Sequence, residues 1–517
     1  MMTFFYSPSF WWGVAGTLGF IAGFPNTVVQ VPPLVLIFPV ALFVLGVRAP
    51  SPMVAVRHGW LCGIAAYFGV LYWVALPLSV VGNLPWLLAL PCALGVACCL
   101  AFACGLFALA AYRWQAIPPV RLALLLGIVW YGLEYAYALL PFPWLPLAAA
   151  FAVWPVCIQP AAVVGAYALS GILACFALLL YAAVYSVPSR MACAALCLTC
   201  LVPSVWRLAA NPVEYTPQGA DSRAVLFVEG NIDQNQKWDP AFQRSTIERY
   251  FSLTEQGLHA MAAAGQRDAA LPPLVVWPET AMPFYVQAHQ EHSPRLAAFV
   301  QKHAIDLLLG CPAYEDSSNK QRHIFNRAFL LGAQGRMLGH YDKQYLVPFG
   351  EYLPPWLDFE VLKPLLQGVG MYSQGTVATP LYSGNLAMGM LICYEAIFPD
   401  LAQKRVQAGA TVLADISNDG WFGNTAAPVQ HLYLTILRAV EQERWMLRGT
   451  NTGISAICDA YGRIIVQGGR DKAQSVQGRV RAQQGLSLFH RLYWYIPATM
   501  LLLFIALLCI PVRKKTL

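Results

Sequence analysis

Unbroken apolar runs near 10–24, 31–47, 60–80, 85–112, 120–138, 161–185 and 191–207, and again near 492–511, set the organisation of this chain. Roughly 20 apolar residues in helical form cross the hydrocarbon core of a bilayer, so the pattern predicts about eight membrane spans. No Asp, Glu, Lys or Arg occurs between Gly59 and Tyr112. The first two runs are short, and Pro32, Pro33 and Pro39 interrupt the second, which leaves tilted, broken or re-entrant geometry open. The first run lacks the positive flank of a cleaved signal peptide.

Between 213 and 487 the pattern changes. AVLFVEGN, LPPLVVWPE, IDLLLGCPAY, FNRAFLLGA, MGMLICYE, ATVLADISND and GISAICDAYGRIIVQG read as strands. Helical spacing occupies 239–263, 293–303 and 428–446. The expected fold is therefore a polytopic α-helical membrane domain joined to one large α/β domain.

Cations fix the expected orientation, because cytoplasmic loops collect Lys and Arg. Arg48 and Arg57, Arg113 and Arg121, Arg190, and the tail residues Arg513, Lys514 and Lys515 all fall on one side of the predicted spans. Both termini are expected in the cytoplasm, and the domain after the seventh span on the opposite face. This gives a seven-span membrane domain at 1–212, an exported domain at 213–487, and a final span with a basic tail at 488–517.

Composition agrees: 58% of residues are hydrophobic and 11% charged, against about 25% charged in soluble proteins. The net charge of +7 partly reflects these loop cations, so it does not point to nucleic acid. Most of the 14 cysteines lie in or beside apolar runs, including the Cys197–Cys200 pair. There cysteine packs as a small apolar residue. Cys311, Cys393 and Cys458 belong to the exported domain, so at least one is unpaired there.

Three polar residues punctuate apolar runs of that domain. Cys393 ends LAMGMLIC, Glu279 follows LPPLVVWP, and Lys343 lies in HYDKQYLVPFGEYLP. A thiol, a carboxylate and an ammonium at strand ends suit acyl transfer through a thioester. No HExxH, no Cys/His cluster and no nucleotide-binding glycine loop occurs in the exported domain, so no metal or other cofactor is expected.

Glu279 after VVWP, Lys343 in DKQYLVPFGEY, Cys393 in ICYE, SNDGWFG at 417–423 and RAVE at 438–441 together resemble the nitrilase superfamily. That resemblance implies an α-β-β-α sandwich and a Glu–Lys–Cys triad. With the flanking spans, GNIDQNQKWD at 230–239 and TNTG at 450–453, the whole chain is similar to the apolipoprotein N-acyltransferase family of Gram-negative bacteria. The resemblance implies Cys393 as nucleophile, Glu279 as general base, and Lys343 with a backbone N–H near Cys393 as oxyanion stabiliser. Glu351 and Glu395 would orient the lysine and the nucleophile loop. Tyr394 and Trp238 would shape the substrate pocket, and Asn418, Asp419 and Trp421 would lie close to it. It further implies a phospholipid acyl donor, a lipid-modified apolipoprotein as acceptor, a monomer, and a place in the inner membrane with the catalytic domain on the periplasmic face.

Two apolar stretches, 281–286 and 354–372, are expected to act as flaps dipping into the outer leaflet. Glu134, the lone acidic residue before Pro212, is a functional suspect as an intramembrane charge but reads as structural before functional, with Arg113 or Arg121 its partner if the fifth span is placed differently. Competing readings are a membrane-tethered amidase, a papain-like pairing of Cys393 with His431, and a transporter or scaffold whose exported domain only binds ligand.

Overall fold

Residues 7–80, 82, 84–268, 271–316, 321–352 and 372–511 are described by a computed structural model of the chain. The chain opens with two short apolar helices, Pro8–Gly23 (α1) and Pro32–Val47 (α2). Among the described residues, five helices that are long and apolar enough to cross a membrane follow: Pro52–Val80 (α3), Trp86–Trp114 (α4), Pro119–Ala138 (α5), Ala161–Ala183 (α6) and Val187–Ala210 (α7). Of the eight expected spans, five meet the length requirement alone; α1, α2 and Ile496–Cys509 have 16 residues or fewer. Helix α2 begins as a 3-10 turn at Pro32 and Pro33, which lack amide donors. The basic tail at 513–515 lies outside the described residues.

Helix α6 is broken at Gly165, where φ is +81° and ψ 166°. The Ala166 N–H beyond the break donates to Glu441 Oε1 at 2.8 Å. A backbone break among apolar helices needs such a protein partner. A Cβ at Gly165 would run into the Phe489 ring.

Glu134 does not pair with an arginine. Its Oε1 accepts the Trp130 indole N–H at 2.7 Å and the Leu147 N–H at 2.8 Å, fastening the turn Leu147–Phe151. Arg121 lies 13 residues earlier on the same helix, about 20 Å away at 1.5 Å per residue, and donates to Leu508 O instead.

Among the described residues the strands are β1 (Ser222–Glu229), β2 (Leu274–Val276), β3 (Asp306–Asp316), β4 (Arg322–Leu331), β5 (Met337–Asp342), β6 (Leu381–Ser383), β7 (Leu386–Ile392), β8 (Val412–Ser417), β9 (Met446–Thr450), β10 (Ala456–Cys458), β11 (Ile464–Gln467) and β12 (Gln474–Arg481). They form two six-stranded sheets, ordered β12-β1-β2-β3-β4-β5 and β11-β10-β9-β8-β7-β6. Each has a parallel centre, β1-β2-β3 and β7-β8-β9. Successive side chains alternate between faces. Val225 and Phe227 of β1 meet Met388, Met390 and Ile392 of β7 between the sheets, whereas Leu226 and Val228 face outward. Strands buried on both faces read as continuous apolar runs.

Helices Gln243–Ala263 (α8) and His292–His303 (α9) pack on the first sheet. Pro399–Gln407 (α10) and Ala427–Gln442 (α11) pack on the second. The result is the expected α-β-β-α sandwich. One apolar core continues from the second sheet through α10 and α11 to Trp144, Leu147 and Ala166 of the membrane part. All of α11 except Val429 is buried. Its Gln430 Oε1 accepts the indole N–H groups of Trp73 and Trp144 at 3.1 and 2.9 Å, and Gln430 Nε2 donates to Pro25 O at 3.0 Å.

The stretch 281–286 is not a flap. Ala281, Met282, Phe284 and Val286 are buried in the core under α9, and Met282 N–H donates to Gly310 O at 3.2 Å. Its apolar side chains cover the first sheet rather than lipid. Of the other expected flap, Trp356, Leu357 and Phe359 lie outside the described residues.

Gly165→Ala is expected to lower the thermal midpoint, since its backbone at φ +81° and ψ 166° is open essentially to glycine alone and costs another residue on the order of 1–3 kcal/mol before any clash. Adding Phe489→Ala should recover part of the loss. An unchanged midpoint in the single variant would show that the break does not need glycine.

Candidate active site

Strand β7 delivers Cys393 to the start of a 3-10 turn, Cys393–Ile397, with φ of +55° at the cysteine. That left-handed backbone is strained for a non-glycine residue and needs surrounding support. Glu395, fully buried, supplies it. Its carboxylate accepts the Ile392 N–H at 2.8 Å, the Tyr341 hydroxyl at 2.8 Å, and the N–H groups of Gln344 and Tyr345 at 2.6 and 3.0 Å. One side chain thus ties the Cys393 turn to the segment that follows Lys343. Burial pushes the Glu395 pKa up, against Arg405 and these backbone donors.

Lys343 comes just after β5, and its N–H donates to Asn326 O of β4 at 2.9 Å. Its Nζ lies 2.9 Å from Glu351 Oε1 and 3.3 Å from Glu279 Oε1. Asn326 Nδ2 bridges the same two carboxylates at 2.7 Å (Glu279) and 2.8 Å (Glu351). Val347 N–H donates to Glu351 Oε2 at 2.8 Å. Glu279 Oε2 is buried and has no hydrogen-bond partner among the described residues. Burial works to strip the Lys343 proton, but Glu351, Glu279 and Cys393 outweigh it and hold the pKa well above the ordinary lysine value.

The Glu279 backbone is clamped. Gly310 of β3 lies so close that a Cβ there would stand 2.7 Å from Glu279 Cα. On the other side Lys237, 3% exposed, donates its Nζ to Glu279 O at 3.2 Å. Burial lowers the Lys237 pKa to about 8, with Glu279 and Cys393 pulling it back up. Sequence reasoning missed both Lys237 and Asn326. The signal for the lysine was its place inside GNIDQNQKWD, beside the tryptophan that drew attention instead. Trp238 is 47% exposed and forms no part of this buried cluster.

Glu279, Lys343 and Lys237 of this cluster act electrostatically on Cys393. Burial and Glu279 push the Cys393 pKa well above the ordinary thiol value, with Lys343 opposing. The resting sulfur carries its proton, beside a cluster in which Glu279 Oε2 has no partner among the described residues.

Behind the cysteine, Cys393 N–H donates to Asp415 Oδ1 at 2.9 Å. Arg448 pairs with Asp415 and, at 2.9 Å, with Asp419 Oδ2. Burial and neighbouring Asp419 raise the Asp415 pKa to about 7 against Arg448, whereas Arg448 takes Asp419 down to about 2 despite burial. His431 contacts Cys393 through the carbonyl oxygen, at 3.1 Å from Nε2. It is placed on the backbone, which removes the basis for a papain-like pairing. The separate sequence motifs meet here as well. Asn418 Nδ2 donates to Gln234 Oε1 at 2.8 Å, and Asn451 Nδ2 to Asn418 Oδ1 at 3.1 Å and Ile232 O at 2.9 Å.

Tyr394 lines a cavity of about 520 Å³ between the sandwich and the membrane helices. Tyr131, Tyr135 and Tyr167 of α5 and α6 form part of its wall, with Tyr345, Phe398 and Trp494. The Tyr394 hydroxyl has no partner among the described residues. Glu315, His340 and Asp342 also come together, but Arg327 already pairs with both carboxylates, at 2.6 Å each.

Comparison with known proteins agrees with both halves. The carbon-nitrogen hydrolase family matches residues 234–484, and the apolipoprotein N-acyltransferase N-terminal domain matches residues 13–179. An apolipoprotein N-acyltransferase of Geobacter metallireducens is 34% identical over 454 residues, covering 85% of this chain and 84% of its own. One from Pseudomonas syringae pv. tomato is 30% identical over 495 residues, 91% of each chain. Among solved structures, a carbon-nitrogen hydrolase from Helicobacter pylori G27 aligns with a TM-score of 0.39 and 14% identity, over 56% of this chain and 99% of its own. The chain belongs to the apolipoprotein N-acyltransferase family.

Proposed function

We propose that the protein moves a fatty acyl chain from a membrane phospholipid, through a thioester on Cys393, to the α-amine of the lipid-modified N-terminal cysteine of an apolipoprotein. The observation that carries this reading is the cavity that helices α5 and α6 line together with Tyr394, the residue that follows Cys393 in the chain. A lipid resists leaving the bilayer at ~0.8 kcal/mol per CH₂, and a pocket walled by membrane helices avoids most of that cost. A small-amide hydrolase needs no such compartment.

In the first half-reaction Glu279 Oε2 takes the thiol proton as sulfur adds to the ester carbonyl. The C–S bond forms and the carbonyl electron pair moves to oxygen. An ammonium has three donors; Lys343 uses two on Glu351 and Glu279, and the third meets the oxyanion together with the Tyr394 N–H. Collapse breaks the ester C–O bond, and the proton passes from Glu279 to the departing lysophospholipid oxygen. In the second half the acceptor amine gives a proton to Glu279 and adds to the thioester. The C–N bond forms, the C–S bond breaks, and the thiolate recovers its proton. Glu351 and Asn326 orient Lys343, and Glu395 aligns it with the nucleophile turn.

The reading places residues 1–212 and 488–517 in the inner membrane, both termini in the cytoplasm, and residues 213–487 on the periplasmic face, as a monomer. Arg121 and Arg190, at the starts of α5 and α7, support it, since the opposite ends of those helices lead toward the sandwich.

Incubation with phospholipid is expected to add one fatty acyl mass to Cys393, removable by a diacylglyceryl-cysteine peptide, and to add none to Cys393→Ala. An adduct that persists in Cys393→Ala would overturn the thioester. Glu279→Gln should slow acylation by about 10²-fold or more, measured as the rate of appearance of that adduct.

Lys237 gives a pH-dependent prediction. Its pKa of about 8 lies below the ordinary ~10.4 of an unfolded chain, so the folded protein binds that proton more weakly. Its burial therefore costs stability below about pH 8, a cost that fades as the pH rises toward ~10.4. Lys237→Met should raise the thermal midpoint at pH 7, raise it less at pH 10, and slow acylation of Cys393. A lowered midpoint at pH 7 would make the lysine a structural support instead.

A further inference from the structure

The nucleophile's backbone is held at both ends. Cys393 N–H donates to Asp415 Oδ1, and Cys393 C=O faces His431 Nε2 at 3.1 Å. His431 lies on α11 and is fully buried. Its Nδ1 stands 3.0 Å from Arg448 Nη2 and 3.1 Å from Asp419 Oδ1. Burial and Arg448 keep the imidazole pKa below its ordinary value. A carbonyl oxygen can only accept, so Nε2 carries the proton. Nδ1 is then an acceptor, and Arg448 Nη2, which also donates to Asp419, is the donor that fits it. The Trp144 ring, 5.5 Å from the imidazole centroid, confines it from the membrane side.

A trans peptide is planar, with its C=O and the following N–H pointing in opposite directions. Holding the Cys393 oxygen on His431 therefore directs the Tyr394 N–H away from α11. That N–H lies in the first turn of Cys393–Ile397, where the turn itself offers it no acceptor. We propose that His431 is a positioning residue for acyl transfer: by holding the Cys393 carbonyl, it aims the Tyr394 N–H at the oxyanion that forms when Cys393 Sγ adds to the acyl carbonyl. The proposal rests on the thioester reading and adds a residue to it.

Simple support of the strained turn would make His431 matter equally for every reaction of Cys393. Aiming an oxyanion donor matters only where an oxyanion forms. The test compares wild type, His431→Phe and His431→Gln in the full-length protein. Two rates are measured on each: acylation of Cys393 from phospholipid by mass spectrometry, and alkylation of Cys393 by iodoacetamide, which builds no tetrahedral oxyanion. His431→Phe is expected to slow acylation about 10- to 10³-fold, by analogy with loss of an oxyanion donor, and to change alkylation less than about threefold. His431→Gln, whose amide N–H can reach the same carbonyl, should restore most of the acylation rate. If His431→Phe fails to fold, His431→Asn replaces it, being polar but too short to span the gap. Acylation at the wild-type rate in the variants, or acylation and alkylation falling in equal proportion, overturns the proposal. No acyl adduct on wild-type Cys393 would overturn the thioester reading beneath it, a result separable from either.

Discussion

Four ionisable side chains share a space nearly closed to water: Lys343, Lys237, Glu279 and Glu351. A lone charge taken out of water costs several kcal/mol even after relaxation, so none of these would persist alone. They persist because Lys343 meets two carboxylates and Asn326 meets the same two. The four charges sum to zero. A thiolate would tip that balance, so the proton from Cys393 stays inside the cluster, on Glu279, in the proposed reaction. Sulfur becomes nucleophilic as the developing oxyanion accepts the charge, not before. The arrangement also protects the resting thiol, which is held in its less reactive form.

The sheets serve this balance by fixing distances between residues far apart in sequence. Glu279 leaves β2, Asn326 lies in β4, Lys343 follows β5 and Cys393 follows β7. Glu395 then joins the two sheets, since it accepts from Ile392 on one side and from Gln344 and Tyr345 on the other. A carboxylate beside a nucleophile looks like a participant in chemistry. Its carboxylate is taken up by Ile392, Tyr341, Gln344 and Tyr345, which makes it a fastener.

How much of this was legible depended on what the residues do. Cys393, Glu279 and Lys343 interrupt apolar runs, and a polar residue ending a buried strand stands out. Asn326 sits inside FNRAFLLGA, where its amide looks like any strand residue until the register sets it opposite the end of β5. β12 escaped because QSVQGRVR alternates weakly and carries arginines, and β9 because Met446 continues the periodicity of α11 into what is a strand. The stretch 281–286 was misread for a general reason. An apolar loop can cover lipid or cover a sheet, and composition does not tell the two apart. Glu134 pairs with neither arginine because one indole N–H and one backbone N–H, from Trp130 and Leu147, take up its Oε1.

Helix α11 presents one side to the second sheet and the other to the membrane helices, with Gln430 spending its amide on Trp73, Trp144 and Pro25. It has no wet face. In a free-standing sandwich such a helix keeps a polar stripe toward solvent; here that stripe has been exchanged for contact with the bilayer-embedded half. An amino-acid change on the outer side of α11 therefore meets tryptophans hundreds of positions earlier in the chain. The sandwich has given up the freedom to circulate without its anchor.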